Sequence, residues 1–166
     1  MAKRQHAVNR GAGRPPRRSP AGDAFSALAF QVLRLGGLLA AAGDALARPA
    51  GQTSARWQVL AAVEDEPRTV AQIARALGLA RQSVQRVADL LESEGLATYG
   101  DNPDHLRARL LHLSPRGRSV LADVQDAQRG WADQLGAEVG EGDLRRASAV
   151  LDRVLAAVAS RHQGRD

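Results

Sequence analysis

Apolar residues recur at alternating three- and four-residue steps in six stretches of the chain, each bounded by Gly, Pro or a polar cluster. This is the spacing of one helix face. The first stripe is Phe25, Leu28, Val32, Leu35, Leu39, Ala42 and Leu46, a heptad-like run that predicts a long helix over 23–48, ended by Arg48-Pro49-Ala50-Gly51. Gly36 and Gly37 weaken this helix locally or let another helix approach. Trp57, Leu60, Ala61 and Val63 predict a second helix over 54–66, stopped by Pro67. Thr69-Val70-Ala71-Gln72 has the form of a capping box, in which Thr caps an orphan N–H and Gln reaches back. The helix it opens carries Ile73, Ala74 and Leu77 and closes at Gly78. After a turn of three residues a fourth helix runs over 81–94, with Val84, Val87, Ala88 and Leu91 inward and Gly95 at its end.

Two helices joined by a short Gly-containing turn form a helix-turn-helix. The pattern then changes to two short strands, 96–101 and 107–113, around Asn102-Pro103-Asp104-His105, whose Pro favours a tight type I turn. Ser114-Pro115 starts another helix, with Ser as N-cap and Pro in the first turn, and Val120, Val124, Ala127, Trp131 and Leu135 on its apolar face. Gly140 and Gly142 separate a last helix striped by Leu144, Ala147, Leu151, Val154 and Val158. The expected fold class is mainly α with a small β-hairpin wing: a winged helix-turn-helix with long terminal dimerisation helices.

Composition sharpens this. Aromatics are 3% of the 166 residues, so the core must be built from Ala, Leu and Val. There is no Cys, which excludes disulfides, thiolate metal sites and cysteine redox sensing. His6, His105, His112 and His162 are scattered without ligand spacing, so neither metal nor cofactor is expected. Residues 1–22 carry six Lys and Arg and no acid, with Pro15, Pro16 and Pro20 among them. They read as a disordered basic arm that is either a solvated tail or a phosphate contact. The net charge of +5 belongs to that arm, because residues 23–166 sum to −1. Within this body, residues 68–118 hold eight Arg against five acids, while the flanking segments are each −2. A basic arm before the apolar stretch 24–43 superficially resembles a signal peptide. Gln31 and Arg34 interrupt that stretch and Asp44 closes it, and its helical period favours a soluble helix. No membrane partner is expected, and the expected location is the cytoplasm.

The order helix, helix, helix-turn-helix, hairpin, helix, helix resembles the multiple antibiotic resistance regulator (MarR) family over about residues 24–160. The resemblance is densest from Thr69 to Gly117: Leu77-Gly78-Leu79, Val84, Arg86, Leu91, Gly95-Leu96, the Asn-Pro-Asp turn, and Leu113-Ser114-Pro115-Arg116-Gly117. It implies a transcription regulator, most simply a repressor, that binds double-stranded DNA. It also implies a homodimer interlocked through residues 23–48 and 114–162, with the winged helix-turn-helix at 54–113. Two recognition helices about 34–36 Å apart would read a pseudo-palindromic operator.

The residues agree with that implication. Arg81, Gln82 and Gln85 share the face of the fourth helix opposite its apolar stripe, with Ser83 and Arg86 alongside. Gln pairs with adenine and Arg with guanine in the major groove, and Ser can bond a phosphate. Asp89, Glu92 and Glu94 follow and would repel phosphate, so the N-terminal half of the helix should face DNA. Alternation places Arg107 and Arg109 on the strand face of Leu111 and Leu113 but nearer the tip, where Arg can enter a minor groove, with His105 beside them. Thr69 and Arg116 complete the expected DNA contacts. Two positions depart from the family: Ala80 stands where a Ser often caps the recognition helix, and Leu106 where a second Arg is common.

Many relatives bind a small aromatic or anionic effector between the dimer helices and the winged helix. Here Leu38, Trp57, Leu60 and Trp131 are candidates to line such a cleft and Arg34 or Arg56 to meet an anion, although both Trp residues also suit a core. A winged-helix module for protein contacts without operator binding is the alternative reading. An enzyme is not expected, since the chain has no glycine-rich nucleotide loop and no plausible nucleophile and base pair.

Overall fold

A computed structural model describes residues 18–103 and 107–163. The expected contact His105 and most of the basic arm lie outside the described residues. The chain divides into two units, residues 1–38 and 39–166, with helix α1 (Pro20–Ala47) crossing the boundary.

In the first unit, α1 begins three residues ahead of the expected position. Ser19 accepts from the Gly22 N–H at 3.1 Å, and Pro20 follows it with no N–H to lose. This segment is apolar but uncovered: Phe30 is 72% exposed and Leu33 76%. Together with the turn after it, α1 is long and apolar enough to cross a membrane by length and composition, with a mean hydropathy of 1.6. It carries Gln31 and Arg34, both exposed.

The second unit holds the core. After a 3-10 turn at Arg48–Ala50 come α2 (Ser54–Ala61), β1 (Arg68–Thr69), α3 (Val70–Leu77), α4 (Arg81–Ser93), β2 (Ala97–Gly100), β3 (Leu110–Leu113), α5 (Pro115–Val139) and α6 (Glu141–Gln163). The strands form one antiparallel sheet in the order β1-β3-β2, with Tyr99 opposite Leu111 and Thr69 opposite Leu110. Leu60, Ile73, Leu91, Leu96, Leu111 and Leu121 are the largest wholly buried side chains. Each contributes about 1.5–3 kcal/mol by leaving water. They come from helices, the sheet and the turn before it, so α2, α3, α4, α5 and the sheet share one core.

Local chemistry sets the element ends. The Thr69–Gln72 capping box forms in full, and Gly78 takes the left-handed conformation, φ 65°, that closes α3. Thr53 and Ser114 cap α2 and α5 through Arg56 N and Gly117 N. Helix α2 ends at Ala61 rather than Glu66, because the chain turns there to bury Val63, which is 2% exposed. The strands are also shorter than alternation suggests. Pairing stops at Gly100 and Leu110, and β1 is a two-residue strand too short to carry a periodic signal. At the loop mouth Asn102 donates its Nδ2 to the Ala108 carbonyl at 2.8 Å.

The α4 to α5 junction is tight. A Cβ on Gly117 would lie 2.0 Å from the Leu96 carbonyl oxygen, which is backbone and cannot swing away. Gly117→Ala is therefore expected to cost roughly 3 kcal/mol in chemical denaturation; an unchanged midpoint would contradict this packing. At the other end of α4, the N-cap Ala80 makes no side-chain cap bond. Ala80→Ser is expected to add about 1 kcal/mol and raise the melting temperature by about 2–4 °C. No rise would count against the cap position.

Candidate nucleic-acid interface

Helix α4 is fixed by its inner stripe. Val84, Ala88 and Leu91 are at most 1% exposed, and Val87 packs against the same cluster. Three-and-four spacing leaves the opposite stripe to solvent. Arg81, Gln82 and Arg86 are exposed, and Ser83 is half-buried with its Oγ 3.5 Å from Arg86 Nη2. These residues make up the outward polar face of the N-terminal half of α4.

Gln85 is different. It is half-buried, and its amide Nε2 donates to Asp89 Oδ1 at 2.7 Å and to the Tyr99 hydroxyl at 2.9 Å. The hydroxyl in turn donates to Asp89 Oδ1 at 3.1 Å. The bidentate adenine contact expected from the sequence needs a free amide N–H, so in this geometry it is not available.

The wing arginines also sit differently. Arg107 and Arg109 precede β3 instead of lying on it, so strand alternation does not orient them. Arg109 folds back: its Nη2 donates to the Tyr99 carbonyl at 2.6 Å, and its guanidinium carbon lies 5.2 Å from the Tyr99 ring centroid. A cleft of about 350 Å³ opens between α4 and the wing, with Arg81, Gln85, Tyr99, Arg107 and Arg109 on its walls. The structure thus brings both wing arginines and the start of α4 around one groove.

Two expected contacts have structural partners. Thr69 is buried, its hydroxyl and its N–H both donating to Gln72 Oε1. Arg116 Nη1 donates to the Glu94 carbonyl at 2.8 Å, where a cation meets the negative end of α4. The candidate effector residues are scattered in role. Leu60 is core, Trp57 packs against the core, and Trp131 is half-buried. Arg56 pairs with the Glu94 carboxylate and is 14% exposed, so its charge is already met. Arg34 and Leu38, in the first unit, are exposed.

Tyr99 went unnoticed in the sequence. It is the chain's single tyrosine, and a lone aromatic on a short strand gives no motif. Its phenol is pushed up to about 12 from 10, first by burial and then by the bond to Asp89.

A helix-turn-helix whose second helix presents Arg81, Gln82 and Arg86 beside an arginine-bearing hairpin defines a winged helix-turn-helix protein. A sequence model described as MarR family matches residues 50–108. An uncharacterised protein of Mycobacterium tuberculosis, Rv2011c, is 39% identical over 136 residues, spanning 82% of this chain and 95% of its own length. The chain belongs to the MarR family of transcription regulators. Among solved structures, the M. tuberculosis regulator MosR in complex with DNA is 24% identical, with TM-score 0.66, covering 78% of this chain and 96% of that one. CouR from Rhodococcus jostii RHA1 bound to p-coumaroyl-CoA is 19% identical, with TM-score 0.69, covering 76% and 90%. Both share the fold.

The raised phenol pKa has a stability consequence. A group that is harder to ionise in the folded state stabilises fully below its unfolded value, here 10, and loses that stabilisation as pH rises through the folded value, about 12. The tyrosinate absorbance of the native protein is expected to titrate near 12, and unfolding midpoints to fall between pH 10 and 12 more steeply than in Tyr99→Phe. A native titration at 10 would contradict the half-buried, hydrogen-bonded phenol.

Proposed function

We propose that this protein is a sequence-specific double-stranded DNA-binding transcription repressor that acts as a cytoplasmic homodimer on a pseudo-palindromic operator. The observation that carries this is the two-sided character of α4: its inner stripe is wholly buried, while Arg81, Gln82 and Arg86 are exposed on the outside next to the wing arginines. Arg86 and Arg81 suit guanine, Gln82 suits adenine, and Arg107 and Arg109 suit phosphate or a narrow minor groove. Ala80 supplies no side-chain acceptor to the first turn of α4, and a phosphate oxygen at that end would take its place. MosR was solved with DNA on the same fold, which supports the reading.

The dimer is supported by apolar surface. Phe25, Phe30, Leu33 and Leu38 on α1, and Leu144, Leu155 and Val158 on α6, are each between 44% and 76% exposed. Apolar faces of this extent mark an interaction surface. A second copy covers them in the proposed assembly, in place of a membrane. Release by a small aromatic or anionic effector fits the family, since CouR holds p-coumaroyl-CoA. The half-buried Trp57 and Trp131 are the proposed contacts.

The test is selection of bound duplexes from a random pool, followed by affinity measurement on the selected sequence. Arg86→Ala is expected to weaken binding about tenfold or more and to relax one position in each half-site. Arg107→Ala should weaken binding to all sequences alike and lower the salt slope by about one per chain. Both variants should keep the dimer. Unchanged affinity in both would overturn the interface, and a pool that yields no enriched duplex would favour a protein-contact module.

A further inference from the structure

We infer that Tyr99 is a specificity-determining positioning residue: through Gln85 and Arg109 it couples the recognition helix to the wing and fixes which base Gln85 can read. This rests on the DNA-binding reading above.

Tyr99 meets both DNA-facing elements at once. Its hydroxyl closes a three-membered ring with Gln85 and Asp89, all three separations lying between 2.7 and 3.1 Å. Its carbonyl and ring hold Arg109 from the other side. Its backbone pairs with Leu111, whose side chain is wholly buried, so it cannot drift relative to the core.

The ring has a chemical consequence. A Gln amide has two N–H donors and one carbonyl acceptor. Here the amide nitrogen is turned onto both Asp89 and Tyr99, which leaves Oε1 as the atom outside the ring. An acceptor alone can accept a hydrogen bond from cytosine N4 or adenine N6, but it cannot make the paired contact to adenine N6 and N7. Gln85 in this chain therefore reads a base with a major-groove donor, cytosine or adenine, rather than adenine alone. Asp89 gains a second function: a carboxylate otherwise repelled by phosphate is held by two donors that keep it turned toward the wing.

Tyr99→Phe removes one acceptor for the Gln85 amide and leaves the ring, the strand and the carbonyl that hold Arg109. One N–H is then free, and the paired adenine contact becomes possible. In duplex selection, Tyr99→Phe is expected to raise the preference for adenine over cytosine at one position of each half-site by about fivefold or more. The salt slope, set by the arginines, should stay the same. In a Gln85→Ala background the same substitution should change nothing at that position, which separates positioning through Gln85 from a general loosening of the wing. Asp89→Asn, which weakens the ring from its other corner, should shift the same position and serves if Tyr99→Phe does not fold. A wild-type operator recovered normally, with the same base preference in Tyr99→Phe and in Asp89→Asn, would overturn the inference alone. A shift that persists without Gln85 would overturn the route through Gln85. A wild-type protein that enriches no duplex would overturn the DNA-binding reading and this inference with it.

Discussion

The burial of one stripe of α4 governs the rest of the interface. Val84, Ala88 and Leu91 leave no freedom for the helix to roll, because turning any of them outward would open a void against Leu60, Ile73 and Leu111. The direction in which Arg81, Gln82 and Arg86 point is thus decided by aliphatic side chains on the far side of the helix. A collar at the C-terminal end adds to this. Arg116 donates to the Glu94 carbonyl, Arg56 pairs with the Glu94 carboxylate, and Ser114 donates to the Gly95 carbonyl at 2.8 Å. The N-terminal end has no side-chain cap.

The outer helices present the opposite situation. The core of the second unit is made almost wholly of Ala, Val, Leu and Ile, and the exposed apolar residues of α6 are not part of it. Surface of this kind is not stable as a solvated face, and the proposed dimer gives it a partner of the same composition. Gln31 and Arg34 in the middle of α1, both exposed, weigh against lipid as that partner.

Much of the fold was legible in the sequence because each element carried a local marker. Thr69 and Gln72, Gly78, Gly95 and Ser114-Pro115 state where helices begin and end, and the structure places the boundaries of α3, α4 and α5 within about a residue of them. What was not legible depended on side chains meeting across elements. The spacing of Gln85 on α4 shows which face it shares but not that Tyr99, fourteen residues on, supplies its second acceptor. Likewise, alternation from Leu111 and Leu113 back through Arg109 assumes a strand. The strand stops at Leu110, where Arg109 turns to stack on Tyr99. Arg56 reads as an available cation until α2 and α4 are packed and Glu94 is found beside it.

The central claim is that two copies join through their terminal helices to present two α4 faces on one side of a duplex. Sedimentation equilibrium of the full chain, in dilute solution without DNA, tests it most directly. A mass of twice 17.6 kDa that persists to low concentration is the result this account requires. A single 17.6 kDa species with α1 and α6 still helical would contradict it.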